Sequence, residues 1–153
     1  MKKILLADDD ASIRQMLGRV LALEQYEVAF AATGREVAAK FIADLPDLVL
    51  LDLSMPDRDG WDAFDLMYHT HPSVPVIIIT AMSRQYERAS ELGVDALMEK
   101  PLDISLLLET IRSYVAESEA ERIRRLTRPD FRTVYLNPHN PSLAQTQDDE
   151  AAK

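Results

Sequence analysis

The most constraining feature of the sequence is the stretch 47–56, in which an apolar run of strand length ends on a carboxylate, Asp52. The run is apolar at consecutive positions, and strands of this kind lie in parallel sheets that are covered on both faces. A lone carboxylate at the end of a buried strand costs desolvation free energy unless a cation, a lysine or backbone donors meet it. The rest of the chain therefore has to supply both a sheet around this strand and a partner for Asp52.

Four further segments resemble buried strands, and helical patterns separate them. The predicted strands are residues 3–7, 26–31, 48–53, 74–80 and 95–99. Apolar side chains between them recur at helical spacing, as in the stripe that begins at Ile13 and ends at Leu21. Alternating strands and helices predict an α/β fold, namely a doubly wound flavodoxin-like (βα)5 parallel five-stranded sheet with helices on both faces.

Polar side chains follow the predicted strands at their carboxyl ends. Asp8 and Asp9 follow the first strand, Asp52 ends the third, Thr80 ends the fourth and Lys100 follows the fifth. In sheets of this type the active crevice lies outside these strand ends, so the five side chains are expected to converge. Three crowded carboxylates favour Mg²⁺, with Mn²⁺ as a possible substitute, because Mg²⁺ takes oxygen ligands and often a phosphate. A lysine and a hydroxyl suit phosphoryl oxygens, and a carboxylate can accept a phosphoryl group.

These motifs together resemble the receiver domain of two-component response regulators. The similarity spans residues 2–116 in order and at the expected spacings. The motifs that carry it are the Asp8-Asp9 pair, Asp52, the loop Met55-Pro56-x-x-Asp59-Gly60, the Thr80-Ala81 pair and the Lys100-Pro101 pair.

The resemblance implies a role for each residue at the strand ends. Asp52 is implied as the phosphoacceptor. Asp9, Asp8, Asp52 and the backbone carbonyl of Ser54 are implied as ligands of Mg²⁺. Lys100 is implied to pair with the phosphoryl group, and its peptide bond to the following proline is expected to be cis.

The resemblance also implies a switch region, formed here by Thr80, Ala81 and Leu97. Thr80 is expected to move toward the phosphoryl oxygen and to change the face formed by residues 83–116, which would then bind an effector protein. Receivers usually carry Tyr or Phe three residues before the lysine, whereas this chain has Leu97. We therefore expect signalling to depend on the loop after Thr80 and on helix shifts.

The implied function is a phosphorylation switch that takes its phosphoryl group from a histidine kinase or a phosphotransfer protein. Such a protein is not an enzyme in the usual sense, since it catalyses only its own phosphorylation and dephosphorylation. One alternative is a degenerate receiver that binds partners without phosphate. Another is a Mg²⁺-dependent aspartyl phosphatase, which is disfavoured because Ser54 stands where a general acid would follow the nucleophile. A flavin or nucleotide module is disfavoured because the loops lack glycine-rich phosphate cradles.

Composition restricts the partners and the compartment. The formal net charge of −9 argues against direct nucleic-acid binding, which requires basic residues. The chain has no cysteine, and its first apolar run is too short for a signal peptide or a membrane span. We expect a cytoplasmic protein without membrane contact.

The chain is divided by its sequence into a receiver domain (1–118), an extension (119–136) and a polar, flexible tail (137–153). The last receiver helix is expected to run on to about Leu126. Its arginines are expected to form either a solvated helix face or a contact with an acidic partner or with the acidic face of a second copy, and residues 83–126 are the candidate homodimer surface. These arginines are Arg122, Arg124, Arg125, Arg128 and Arg132. Residues 131–136 form a short apolar patch that can either pack back on the domain or add to a partner. The extension and tail are too short for a separate DNA-binding domain, so we expect either a stand-alone receiver or part of a longer regulator.

Overall fold

A parallel sheet of six strands, in the order β2-β1-β3-β4-β5-β6, forms the centre of the molecule. The structure is a computed structural model, and it describes residues 1–56 and 60–136. Its elements are β1 (Lys3–Ala7), α1 (Ala11–Leu23), β2 (Glu27–Ala31), α2 (Gly34–Asp44), β3 (Leu48–Asp52), α3 (Gly60–Thr70), β4 (Val76–Thr80), α4 (Tyr86–Leu92), β5 (Ala96–Glu99), α5 (Ile104–Ala116), α6 (Glu119–Leu126) and β6 (Val134–Leu136).

Two apolar layers cover the sheet, one on each face. On one face Leu51 and its same-face neighbours meet α2, α3 and α4 through side chains such as Phe41 and Phe64. On the other face Leu50 and its neighbours meet α1 and α5 through side chains such as Ile111. Consecutive residues of β3 thus enter different layers, which is why the run is apolar at every position. The predicted doubly wound α/β fold is confirmed.

The sheet has one strand more than the sequence predicted. β6 lies parallel to β5, with Val134 opposite Ala96 and Leu136 opposite Met98. The apolar patch at 131–136 therefore does pack back on the domain. Thr133, just before the strand, is buried and donates a hydrogen bond from its hydroxyl to the carbonyl of Val94 at 2.7 Å.

The expectation that the last receiver helix continues to Leu126 is wrong, because the chain turns between α5 and α6. Glu117 has extended backbone angles, and Ser118 begins α6 with a capping box. The Ser118 hydroxyl accepts a hydrogen bond from the Glu121 amide, and the Ser118 amide donates to the Glu121 carboxylate, both at 3.1 Å. These bonds satisfy donors that a new helix start leaves free, so the chain begins a second helix here.

The expected solvated arginine face is also wrong in part. Arg122 is 3% exposed and forms an ion pair with the buried Asp95. Arg125 donates to Asp95 at 2.7 Å and to Glu117 at 2.9 Å. Arg122 also donates to the carbonyls of Pro72 and Val74, which attaches α6 to the amino-terminal end of β4 and β5. The remaining three arginines of the group are exposed.

Asp59 of the loop motif and the predicted flexible tail 137–153 lie outside the described residues. None of the described helices is long and apolar enough to cross a membrane.

We predict that Arg122→Met lowers the free energy of unfolding by roughly 2–4 kcal/mol, because removing one partner leaves the buried Asp95 short of compensating charge. Arg124→Met, on the exposed side of the same helix, is the matched control and should change stability by less than about 0.5 kcal/mol. Urea denaturation measures both. Equal, small effects would show that the buried ion pair contributes nothing to α6 docking.

Candidate functional site

The sheet register brings the predicted site residues to one edge. β1 and β3 pair so that Ala7 lies opposite Leu51, which places Asp8 next to Asp52. β4 and β5 pair so that Thr80 lies opposite Glu99, which places Lys100 just beyond it. All four strands are parallel, so their carboxyl ends open on the same crevice.

Three carboxylates cluster in this crevice. One oxygen from each of Asp8, Asp9 and Asp52 lies within 4.8 Å of the other two. Asp8 and Asp52 are buried, whereas Asp9 is exposed to solvent. Like charges at this spacing repel, so the arrangement requires a compensating cation or proton.

Lys100 supplies one compensating charge. Its Nζ lies 2.9 Å from Oδ2 of Asp8 and 3.6 Å from Oδ2 of Asp52. Burial of the ammonium lowers the pKa of Lys100, but the hydrogen bond to Asp8 and the charge of Asp52 raise it by more. The net effect is a raised pKa. The amide of Lys100 donates to the Thr80 carbonyl at 2.7 Å, and the Lys100–Pro101 peptide is cis, as expected.

The Asp52 carboxylate lies in an environment that disfavours its charged form. Burial raises its pKa to about 6, and the nearby charge of Asp8 adds to this effect. The Ser54 amide, which donates to Oδ1 of Asp52 at 3.2 Å, and the Lys100 ammonium act in the opposite direction. One lysine therefore does not fully compensate the cluster, and a second positive charge would lower the cost of ionising Asp52.

The loop between β1 and α1 is fixed by groups whose role the sequence left open. The carboxylate of Asp10 caps α1 by accepting from the amides of Ser12 and Ile13. The amide of Asp10 in turn donates to Oδ1 of Asp8 at 2.9 Å. Arg14, which sequence reasoning missed, donates from Nη1 to the Asp8 carbonyl at 2.7 Å. The sequence signal that could have indicated this contact is the position of Arg14 in the first turn of α1, shortly after the acidic residues 8–10.

Gly60 is a second residue whose importance was underestimated. A Cβ at this position would lie 2.5 Å from Cα of Leu53 and 2.6 Å from the carbonyl oxygen of Asp52. The Gly60 amide also donates to the Leu53 carbonyl at 2.8 Å. The start of α3 thus packs directly on the backbone that carries Asp52, an approach that only glycine permits without displacement.

The switch region has two buried members. Thr80 is fully buried, and its hydroxyl accepts from the Met82 amide at 3.0 Å. Ala81 is exposed. Leu97 is 0% exposed and lies in the apolar layer that contacts α4. A side chain fixed in the core cannot alternate between inward and outward positions as a half-exposed aromatic residue can.

The donor set fits Mg²⁺. It consists of carboxylate oxygens, two of them buried, next to a single lysine. Hard oxygen donors of this kind suit Mg²⁺ or Mn²⁺, which also leave positions for water or a phosphate. The assignment of the Ser54 carbonyl as a further ligand stays a prediction.

Comparison with known proteins identifies relatives of the chain. Residues 4–112 match the response regulator receiver domain family. Response regulator MprA of Mycobacterium leprae is 29% identical over 147 residues, covering 95% of this chain and 64% of the relative. The probable transcriptional regulator ycf27 of Cyanophora paradoxa is 35% identical over 141 residues, covering 91% of this chain and 55% of the relative. The chain thus spans between half and two thirds of the length of these two relatives.

Solved structures share the fold. A CheY-like receiver domain protein from Methanospirillum hungatei has a TM-score of 0.74 at 32% identity, covering 79% of this chain and 98% of its own. Response regulator TrrA of Thermotoga maritima, solved in complex with Mg²⁺ and BeF, has a TM-score of 0.70 at 31% identity, covering 74% of this chain and 99% of its own. The chain therefore shares the receiver fold with these two solved structures.

We predict that Gly60→Ala lowers the free energy of unfolding by about 1–3 kcal/mol, because the new methyl group meets backbone that cannot swing away. Gly18→Ala is the matched control. Its Cβ would lie 2.6 Å from the Phe30 ring, but that side chain is 38% exposed and can turn aside. Thermal unfolding should show a smaller change for Gly18→Ala, and equal losses would contradict this account.

We predict that Asp52→Asn stabilises the protein near neutral pH. With a folded-state pKa of about 6 against an ordinary 3.8, Asp52 contributes stability at low pH that is lost as pH rises through 6. The variant lacks this loss, so its stability advantage should grow by roughly 2 kcal/mol between pH 4 and pH 7. Chemical denaturation across this range measures it, with the exposed Asp44→Asn as control. An advantage that shrinks with rising pH would overturn the assignment.

Proposed function

Because the chain belongs to the response regulator receiver domain family, we propose that it is a Mg²⁺-dependent phosphorylation switch with Asp52 as its phosphoacceptor. The observation that supports this most strongly is the position of Asp52 between two further carboxylates and the Lys100 ammonium. Asp8 and Asp9, with Asp52 itself, would hold the metal ion. When bound, the ion supplies positive charge to the oxygens of the transferring phosphoryl group.

The proposed reaction is phosphoryl transfer from a phosphohistidine. An oxygen of the Asp52 carboxylate attacks phosphorus, a new O–P bond forms and the N–P bond of the donor breaks. The electron pair of that bond goes to the imidazole, which takes up a proton from solvent. Asp52 has to be ionised for this attack, and its pKa of about 6 leaves the carboxylate mostly charged at pH 7.

Lys100 and Thr80 act on the transferred group in this proposal. Lys100 already bridges Asp8 and Asp52, so its ammonium is positioned to donate to a phosphoryl oxygen without large movement. The Thr80 hydroxyl is held by the Met82 amide and would exchange that bond for one to the phosphoryl group. The loop that follows Thr80 is expected to move with it.

We propose that the donor is a histidine kinase or phosphotransfer protein in the cytoplasm, and that the face formed by residues 83–116 responds by binding an effector protein. The same site chemistry would serve an aspartyl phosphatase, but a switch acts on its own carboxylate and does not turn over external esters. The two are therefore separated by turnover.

We predict that the wild-type protein gains the mass of one phosphoryl group when incubated with acetyl phosphate and Mg²⁺, and that EDTA abolishes the gain. Asp52→Asn should show none, while the exposed-site control Asp44→Asn should behave as wild type. Intact-mass spectrometry measures all three. An equal gain in Asp52→Asn would exclude Asp52 as the acceptor, and no gain in wild type would favour the degenerate receiver.

Sustained release of phosphate from a generic phosphate ester, followed in the same samples, would favour the phosphatase instead.

A further inference from the structure

Tyr135 places an aromatic ring beside Leu97, the position at which receivers usually carry Tyr or Phe. Leu97 on β5 stands opposite Tyr135 on β6 in the parallel register. The two residues share a face of the sheet, since Tyr135 packs against the same apolar layer that contains Leu97. Tyr135 is only partly buried, so its ring has room to move that the fully buried Leu97 lacks.

Tyr135 contacts the first residue of α4. Its ring lies 5.7 Å from the ring of Tyr86, in an edge-on arrangement at 80°. A second contact joins the same two segments, because the amide of Thr133 donates to the hydroxyl of Ser90 at 3.1 Å. Residues 86 and 90 lie one turn apart on one side of α4, so that side of the helix faces the added strand.

Tyr135 also contacts the strand ends that form the site. Glu99 lies two residues beyond Leu97 on the same face of β5, diagonal to Tyr135. Burial raises the pKa of Tyr135, and the neighbouring Glu99 carboxylate adds to this effect. Glu99 is opposite Thr80 in the sheet, and the next residue, Lys100, donates its amide to the Thr80 carbonyl. A continuous set of contacts thus runs from Thr80 through Glu99 to Tyr135 and on to α4.

The segment 119–136 is held firmly at its other end. Arg122 and Arg125 attach α6 to Asp95, which precedes β5 at the edge of the sheet opposite the site. β6 then runs parallel to β5 toward the site. Motion at the strand ends would therefore reach the Tyr135 end of the segment, while the buried ion pairs keep the α6 end in place.

We propose that Tyr135 is the aromatic switch residue of this protein and that the segment 119–136 is the element that reports the state of Asp52. This inference rests on the proposed phosphorylation of Asp52. It adds the set of contacts through which the structural change at the site reaches the surface of α4 and β6. Movement of Thr80 shifts Glu99, the Tyr135 hydroxyl changes its position relative to the Glu99 carboxylate, and the Tyr135 ring repacks against Tyr86. The surface shared by α4 and β6 then differs between the two states.

The experiment is amide hydrogen exchange of the full chain, with and without beryllofluoride and Mg²⁺. In the wild type we expect changed protection in both α4 and β6. Tyr135→Phe keeps the ring but removes the hydroxyl that neighbours the Glu99 carboxylate, and should reduce the β6 and α4 responses at least twofold. Tyr135→Leu, which removes the ring, should abolish the α4 response. Tyr26→Leu, a partly buried tyrosine at the opposite edge of the sheet, is the control and should respond as wild type.

Intact mass after acetyl phosphate treatment, measured on the same proteins, distinguishes failure of the proposed function from failure of this inference alone. Absence of phosphorylation in the wild type overturns the proposed function and this inference with it. Phosphorylation together with an unchanged β6, or with an α4 response that survives in Tyr135→Phe at full size, overturns the inference alone. Because Tyr135→Phe removes only a hydroxyl, this comparison holds even if Tyr135→Leu detaches β6.

Discussion

The contact between the Lys100 ammonium and the carboxylates of Asp8 and Asp52 is the interaction on which the site depends. Each carboxylate ends or follows a strand that is buried on both faces, so neither can turn away into water. Burial raises the pKa of Asp52 and the charge of Asp8 adds to this effect, whereas the ammonium offsets part of it. The fold thus holds an unfavourable arrangement of carboxylates that a divalent cation would relieve.

The same arrangement explains how much of the site could be predicted from sequence. Apolar runs predict parallel strands, parallel strands share one carboxyl edge, and the residues after them must then meet. The positions of Asp8, Asp52, Thr80 and Lys100 at this edge could therefore be predicted from the sequence alone. Arg14 did not, because its contact is with a backbone carbonyl and depends on how α1 is oriented against the preceding loop.

The extension was predicted less well, for physical reasons that differ between its two elements. The start of α6 was readable, since Ser118 and Glu121 have the spacing of a capping box. β6 has only three residues, too few for a pattern to distinguish a strand from a loop. The burial of Arg122 depends on Asp95, which lies 27 residues earlier and becomes its neighbour only in the folded chain.

The added strand also changes how the sheet meets other proteins. A strand at the edge of a sheet exposes unpaired amide and carbonyl groups and can recruit strands from other chains. Within residues 1–56 and 60–136, β5 is paired by β6, so the edge strand on this side has three residues. So short an edge offers few backbone groups for pairing, which protects the molecule against edge-to-edge aggregation. A partner that approaches from this side must therefore recognise side chains of α4 and β6 rather than extend the sheet.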